Sequence, residues 1–490
     1  MSYYTHRPEL HITAERGILN APAGVLRSGN QWHVFHQYQP ELDAPARWAH
    51  QFADQLPFDW DICDDAIAPE GDEIKVRAGA VIGTRSGSTE LYFTSINQEG
   101  TSIHVAEVED IDASLEEVSD DASAVDKHVR RVGQVVGNRD GFVDFRSPCV
   151  VPRWDYDEVS GEPLKGWLML AVSGDQDKPQ LMVLDSYDRR EWSLRGPLTF
   201  DGTTGLEAVE RLVSPRIIRL SDEVDGQMYD VLLVTIEHEG IDISGYLIGQ
   251  LTGSTFTVKT SFTRLDFGHD FTRPRNTNVS LADQTDLPDY SSANIFGLMN
   301  GIGRYDDPSQ HLSLAEEGWA NCLSLPRVTT LQDGLIYQTP TPGLPAAIRT
   351  SERACMLTAL IDASAADAEV QVELIDDQGR TAAVVCHQGD LLTFDRSMNP
   401  NHEGDHIAEG PLIAADTDAL TIIVDGSAVE VFADGGAMTM ASRLYAQSRI
   451  VEFRTTAVGS AVIEQQSSTF PLDFPKFHGM EPALPGEDEL

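Results

Sequence analysis

An all-β chain of two domains is what this sequence predicts, and three observations lead there. Short runs rich in β-branched and aromatic residues recur, each bounded by Gly, Pro, Asp or Ser. Helical periodicity is scarce, and the one tempting stretch, residues 111–129, presents no continuous apolar face. A second set of strand-like runs begins after a connector at 343–353 that contains Pro and Ala. At 490 residues the chain exceeds one comfortable core, and its 41% hydrophobic content suffices for packed ones.

In chain order the first strands read at 31–38 (QWHVFHQY), 90–95 (ELYFTS), 166–172 (GWLMLAV), 180–184 (QLMVL) and 229–236 (YDVLLVTI). Many short antiparallel strands over residues 1–342 predict a propeller, barrel or sandwich. From Ala354 come MLTALI, VQVELID, TAAVVCH and DLLTFDR, then a Pro/Asn/Gly-rich stretch at 399–411. The runs LTIIVD and VEVFAD follow, joined by Gly426-Ser427 as a tight hairpin turn. In the second of these, Val429, Val431 and Ala433 are expected on one face and Glu430, Phe432 and Asp434 on the other. Residues 354–474 therefore predict a β-sandwich, and the acidic residues 475–490 a flexible tail.

Charge narrows the partners. Thirty-five basic residues face 78 acidic ones, a formal net charge of −43, which disfavours nucleic acid and anionic membranes. The acidic blocks at 107–110, 116–121 and 487–489 read as solvated segments, with no metal assigned to them. Cys63, Cys149, Cys322, Cys355 and Cys386 show neither pairing nor metal-ligand spacing and read as reduced, buried thiols. Cys386-His387 is read as packing, not as a metal or nucleophile site. The N-terminus is polar and no apolar run reaches membrane-span length. A cytoplasmic location without cofactor or metal is expected.

Several motifs carry a family resemblance. Asn20-Ala21-Pro22-Ala23-Gly24 precedes a strand with His36-Gln37-Tyr38-Gln39-Pro40, and Trp48-Ala49-His50 follows. Further along come LDFGHDF at 265–271, Gly318-Trp319, LSLPR at 323–327 and Phe394-Asp395-Arg396-Ser397. Val424-Asp425, Val429-Glu430-Val431-Phe432 and Ser442-Arg443 complete the set. In order and spacing the chain resembles the glycoside hydrolase family of invertases, levanases, inulinases and sucrose-6-phosphate hydrolases (family 32 type). That resemblance implies a five-bladed β-propeller followed by a C-terminal β-sandwich.

It also implies retaining cleavage of fructosyl bonds, which needs one carboxyl to attack and another to pass a proton. In the family these lie in Asn-Asp-Pro-Asn-Gly and Glu-Cys-Pro-Asp, with a third carboxylate in Arg-Asp-Pro. Here Ala21 stands at the nucleophile, Ser147 of Arg146-Ser147-Pro148 at the stabilising Asp, and Val213 of Val213-Ser214-Pro215-Arg216 at the acid/base. Alanine forms no covalent intermediate and valine donates no proton. Asp144, Glu207, Glu210, Asp266 and Asp270 lie near these motifs and read as loop acids or turn formers.

Asn20, Gln37, Trp48 and Arg146 remain as pocket-wall candidates, an indole to stack on a sugar and polar groups to bond its hydroxyls. Arg216, Arg273 and Arg275 stand where the family has acidic or neutral residues. Two readings of them stay open: pairing with nearby Asp and Glu, or a basic site for an anionic ligand. The favoured expectation is a non-catalytic carbohydrate-binding or regulatory homologue whose partner is a small carbohydrate or anionic sugar-like ligand. The alternatives are a glycoside hydrolase of fructosyl or related bonds with relocated carboxylates, and a scaffold with no ligand.

Overall fold

The computed structural model describes residues 5–154, 165–174, 178–209, 211–238, 241–283, 289–300, 311–412 and 418–472. Strands dominate these residues, with short helices at Ile111–Glu116, Leu312–Glu317 and Leu344–Thr350. The last of these occupies the expected connector. The acidic tail expected at 475–490 lies outside the described residues, as does Glu210.

Five antiparallel units form a five-bladed β-propeller. Their innermost strands are Gly17–Ser28, Lys75–Gly83, Arg146–Pro152, Arg211–Ser221 and Thr272–Val279. Each packs against the innermost strand of the next blade. The ring closes where Gly17–Ser28 pairs in parallel with Thr272–Val279, Val25 opposite Thr277. A blade sandwiched between two others is buried on both faces, so strand Thr89–Asn97 is covered without alternation from Thr89 through Ser95. Outer strands alternate instead, as in Arg327–Gln332.

Every innermost strand carries an extra residue against its neighbour: near Ala21, between Arg77 and Ala80, opposite Leu170/Val172, between Val213 and Arg216, and between Thr272 and Arg275. At three of these bulges the residue before a proline is left-handed: Ser147 (φ 54°), Ser214 (φ 52°) and Arg273 (φ 51°). Such conformations cost roughly 1–3 kcal/mol each and re-aim side chains out of the ladder. The five bulges ring the axis.

The C-terminal sandwich pairs a sheet ordered Met438–Arg443, Ala428–Ala433, Asp418–Asp425, Cys355–Asp362, Val462–Thr469 with a second five-stranded sheet. Leu357, Val372, Phe394, Ile422 and Met440 fill the space between them. The hairpin turns at Gly426 (φ 56°), where a Cβ would meet the carbonyl oxygens of His6 and Arg7 at 2.7 Å. Strand Ala428–Ala433 is buried along its whole length rather than on one face. Its outer face, with Glu430 and Phe432, packs on the propeller.

That interface is an ionic cluster. Arg327 is fully buried and donates to Asp266 at 2.8 Å and to Glu430 at 2.6 and 2.9 Å. His11 lies between Asp425 (Nδ1 to Oδ2, 2.8 Å) and Glu430 (Nε2 to Oε1, 3.1 Å), with all three side chains wholly covered. Two carboxylates facing both ring nitrogens require imidazolium. Burial alone would lower its pKa, but the hydrogen bonds and charges of Asp425 and Glu430 raise it from 6.5 to about 9. A raised cation pKa stabilises fully below 6.5, and the stabilisation is lost as pH rises through 9. Burial opposes ionisation of Asp425 and Glu430 too, yet His11, with Arg327 for Glu430, holds both low. Their contribution is present above the ordinary carboxylate range and lost in acid. Between pH 6.5 and 9 the contribution of His11 to stability should fall by about 3 kcal/mol. Denaturant midpoints of the parent and of His11→Gln across that range check this: the difference between the two should shrink as pH rises, and a difference that does not change with pH would remove the imidazolium from the account.

Candidate active site

At the ring of bulges the blades open into a cavity of about 780 Å³. Blade one supplies Asn20, Ala21 and Gln37, with Asp43 from the following loop; blade two supplies Lys75 and Arg77. Blade three supplies Arg146 and Ser147, blade four Arg211, Val213, Ser214 and Glu237, and blade five Arg273 and Arg275. Ala21, Ser147 and Val213, far apart in sequence, thus line one cavity.

The wall is ordered by hydrogen bonds. Gln37 accepts from the amide of Ala78 at 2.9 Å, joining blades one and two. The amide of Ser147 donates to Thr94 Oγ1 at 3.0 Å, and Asn20 donates to Gln39 at 3.2 Å. Arg146 donates to the carbonyl oxygens of Asp144 and Gly174. Arg273 reaches Asp242 at 3.1 Å and the carbonyl oxygen of Asn20 at 3.3 Å. Arg211 Nε sits 3.1 Å from Glu237 Oε2.

Two expected wall residues lie elsewhere. Trp48 is fully buried, gives its indole N–H to the carbonyl oxygen of Arg77 at 3.1 Å, and meets Phe93 edge-on. It is core behind the wall and offers no face to a sugar. Arg216 is buried beneath the floor, where its guanidinium donates to the carbonyl oxygens of Pro215 (2.6 Å), Ser147 (3.1 Å) and Gly79 (3.1 Å). The bulged backbones captured it. Arg273 and Arg275 do reach the cavity.

Nor do Asp144, Glu207, Asp266 and Asp270, four of the neighbouring acids considered from sequence, line it. Asp266 and Asp270 are buried anchors of the domain interface, not loop acids: Asp266 binds Arg327, and Asp270 accepts from the amide of Arg443 at 2.7 Å. Asp144 accepts from the amide of Thr101, and Glu207 is exposed beside Thr204. Among the described residues, the carboxylates on the wall are Asp43 and Glu237, and neither was singled out by motif. Glu237 follows directly on the 229–236 run, and its place at the cavity depends on strand pairing. Val213 pairs with Thr235 and Arg211 with Glu237, so Glu237 is the diagonal cross-strand neighbour of Val213, on the same face.

Charge on the wall is opposite to that of the whole chain: Lys75, Arg77, Arg146, Arg211, Arg273 and Arg275 against Asp43 and Glu237. Burial, with Arg216 and Arg273 adding repulsion, pushes the Arg275 guanidinium well below its usual range. Burial and Arg273 lower Arg77, while Arg77 and burial lower Lys75. Away from the cavity, His387, Asp418 and Asp434 bring ligand atoms within 4.8 Å of one another, a grouping able to hold a metal ion.

A propeller whose bulged inner strands open on a polar funnel, backed by a β-sandwich, defines a glycosidase-type scaffold. Residues 11–340 match the glycosyl hydrolases family 32 N-terminal domain and 329–469 the family 32 C-terminal domain. The chain belongs to glycosyl hydrolase family 32. The sucrose-6-phosphate hydrolase of Escherichia coli is 22% identical over 96% of this chain and 95% of its own. That of Bacillus subtilis is 24% identical over 93% and 92%. The exo-inulinase of Aspergillus awamori superposes with a TM-score of 0.72 at 16% identity, covering 95% of this chain and 98% of that one.

These relatives overturn the expectation of a non-catalytic carbohydrate-binding or regulatory protein. They are named as hydrolases and matched almost end to end, and they favour the alternative reading of a glycoside hydrolase over a non-catalytic one. No helix among the described residues is long and apolar enough to cross a membrane.

Proposed function

We propose that this chain cleaves fructosyl or related O-glycosidic bonds, with the proton-handling carboxyl moved from the position of Val213 to Glu237. The cross-strand diagonal carries this reading: Glu237 lines the same cavity as Ala21, Ser147 and Val213 and projects from the strand paired with Val213. A long side chain spans the offset of one strand and two residues. Arg211 fixes its orientation at 3.1 Å.

Glu237 passes a proton to the departing sugar oxygen, and Asp43 is the second wall carboxyl, available to an attacking water. Asn20, Gln37 and Arg146 bond the sugar hydroxyls, and Ser147 offers a hydroxyl where the family's Asp would stand. The basic wall suits substrates bearing phosphate, and the curated relatives named for sucrose 6-phosphate support including that compound.

The test is release of the leaving alcohol by the pure chain from sucrose, sucrose 6-phosphate, inulin and p-nitrophenyl fructoside, in phosphate-free and phosphate-containing buffers. Release proportional to protein from at least one substrate is expected. No release from any of them, in either buffer, would sink the proposal.

A further inference from the structure

We infer that the attacking group is an inorganic phosphate ion seated beside Ala21, so that the chain is a glycoside phosphorylase; this rests on the bond-cleaving reading above. Alanine supplies no nucleophile on blade one, and what crowds that position is cationic. Arg273, whose guanidinium also pairs with Asp242 at 3.1 Å, touches the carbonyl oxygen of Asn20, the residue before Ala21, at 3.3 Å. Arg275 lines the cavity on the same strand, is 3% exposed, and has a buried Nε with no hydrogen-bond partner. Its guanidinium donates to the carbonyl oxygen of Pro274 at 3.3 Å. Lys75 and Arg77 line the cavity from blade two, and among the described residues neither forms an ion pair, although the charge of Glu237 acts on Arg77 through space.

Arg275 and Arg77 stand near Arg273 with no carboxylate of their own in ion-pair distance among the described residues, an arrangement that is costly unless an anion joins it. Water hydrates these groups but carries no charge to cancel their mutual repulsion. A phosphate dianion does, and its oxygens match the forked donors of arginine. Replacing a protein carboxylate with a bound oxyanion restores a nucleophile of the same charge sign at the same place.

The atoms balance without a redox step. A phosphate oxygen forms a bond to the anomeric carbon while the glycosidic C–O bond breaks, its electron pair leaving with the alcohol oxygen. Glu237 gives that oxygen a proton and recovers one from the hydrogen phosphate group of the product. Sugar–O–R and HPO4 dianion thus become sugar phosphate and R–OH. Arg211 now pairs with Glu237 at 3.1 Å; an anion drawing on Arg211 takes over that pairing and leaves the carboxyl to carry the proton.

The experiment follows phosphorus NMR and leaving-group release together, with the pure full chain and sucrose or p-nitrophenyl fructoside, at zero and 10-millimolar-scale inorganic phosphate. We expect at least about a ten-fold rise in leaving-group release with phosphate and a fructosyl phosphate signal that matches it mole for mole. Arg77→Met, at a half-buried site, and Arg275→Met should each raise the phosphate concentration for half-maximal rate ten-fold or more, about 1.4 kcal/mol. Free fructose formed at a phosphate-independent rate would overturn this inference and leave the hydrolase reading standing. No leaving-group release in either buffer would overturn both.

Discussion

Arg327→Met is expected to cost about 3–5 kcal/mol of stability, because it strands buried carboxylates rather than merely deleting a contact. Arg327 is completely covered and sits between Asp266 and Glu430, with Gln338 and Thr439 each at 3.1 Å and the Phe271 ring 4.4 Å away. Methionine retains much of the packing volume but none of the five donors. Glu430 would keep His11 and the amide of Leu325 at 2.7 Å, and Asp266 would keep the amides of Gly268 and Ala441. These offset only part of the lost charge. The double variant Arg327→Met/Glu430→Leu should lose less than the two single losses summed, since removing both charges leaves neither stranded by the other. Trp319 is buried near this junction beneath Arg443, so its fluorescence during guanidinium unfolding can follow the loss. A single-variant cost under about 1 kcal/mol would show that the cluster contributes no more than a surface pair.

The same cluster explains why the fold was legible in sequence while much of the site was not. The motifs that carry the resemblance outside the cavity converge on the propeller–sandwich junction: Asp266 and Asp270 of LDFGHDF, Arg327 of LSLPR, Asp425, Glu430, Arg396 and Arg443. Each bonds a partner roughly fifty to four hundred residues away, so substituting one would strand another. Short-range signals served equally well where the physics is local, as at the Gly426-Ser427 turn.

Side-chain direction at a bulge is not local. Arg216 and Arg275 look alike in sequence, each just after a proline, yet one lies under the floor and the other lines the cavity. Trp48 stands in a strand whose inner face meets the next blade rather than the funnel. Glu237 required knowledge of strand register: twenty-four residues separate it from Val213 in the chain, but one strand and two residues separate them in the sheet.

Glu237→Gln is the second large effect, expected to lower kcat on sucrose-type substrates by about a hundred- to ten-thousand-fold with little change in KM. Glutamine preserves size and can still accept from Arg211, but it has no proton to pass at neutral pH. The ion pair it removes is partly exposed, with side chains 35% and 27% accessible, so the stability cost should stay under about 1 kcal/mol. Loss of activity with unchanged unfolding would therefore reflect chemistry and not folding. Leaving-group dependence gives the sharper readout. A p-nitrophenolate departs without protonation, so the variant should retain far more of its activity on p-nitrophenyl fructoside than on sucrose. A merely structural role for Glu237 would depress both alike. Glu207→Gln, an exposed carboxylate beside Thr204 that does not line the cavity, should leave both rates at the parent value. If Glu237→Gln did the same, the proton donor would have to be sought elsewhere on the wall, starting with Asp43.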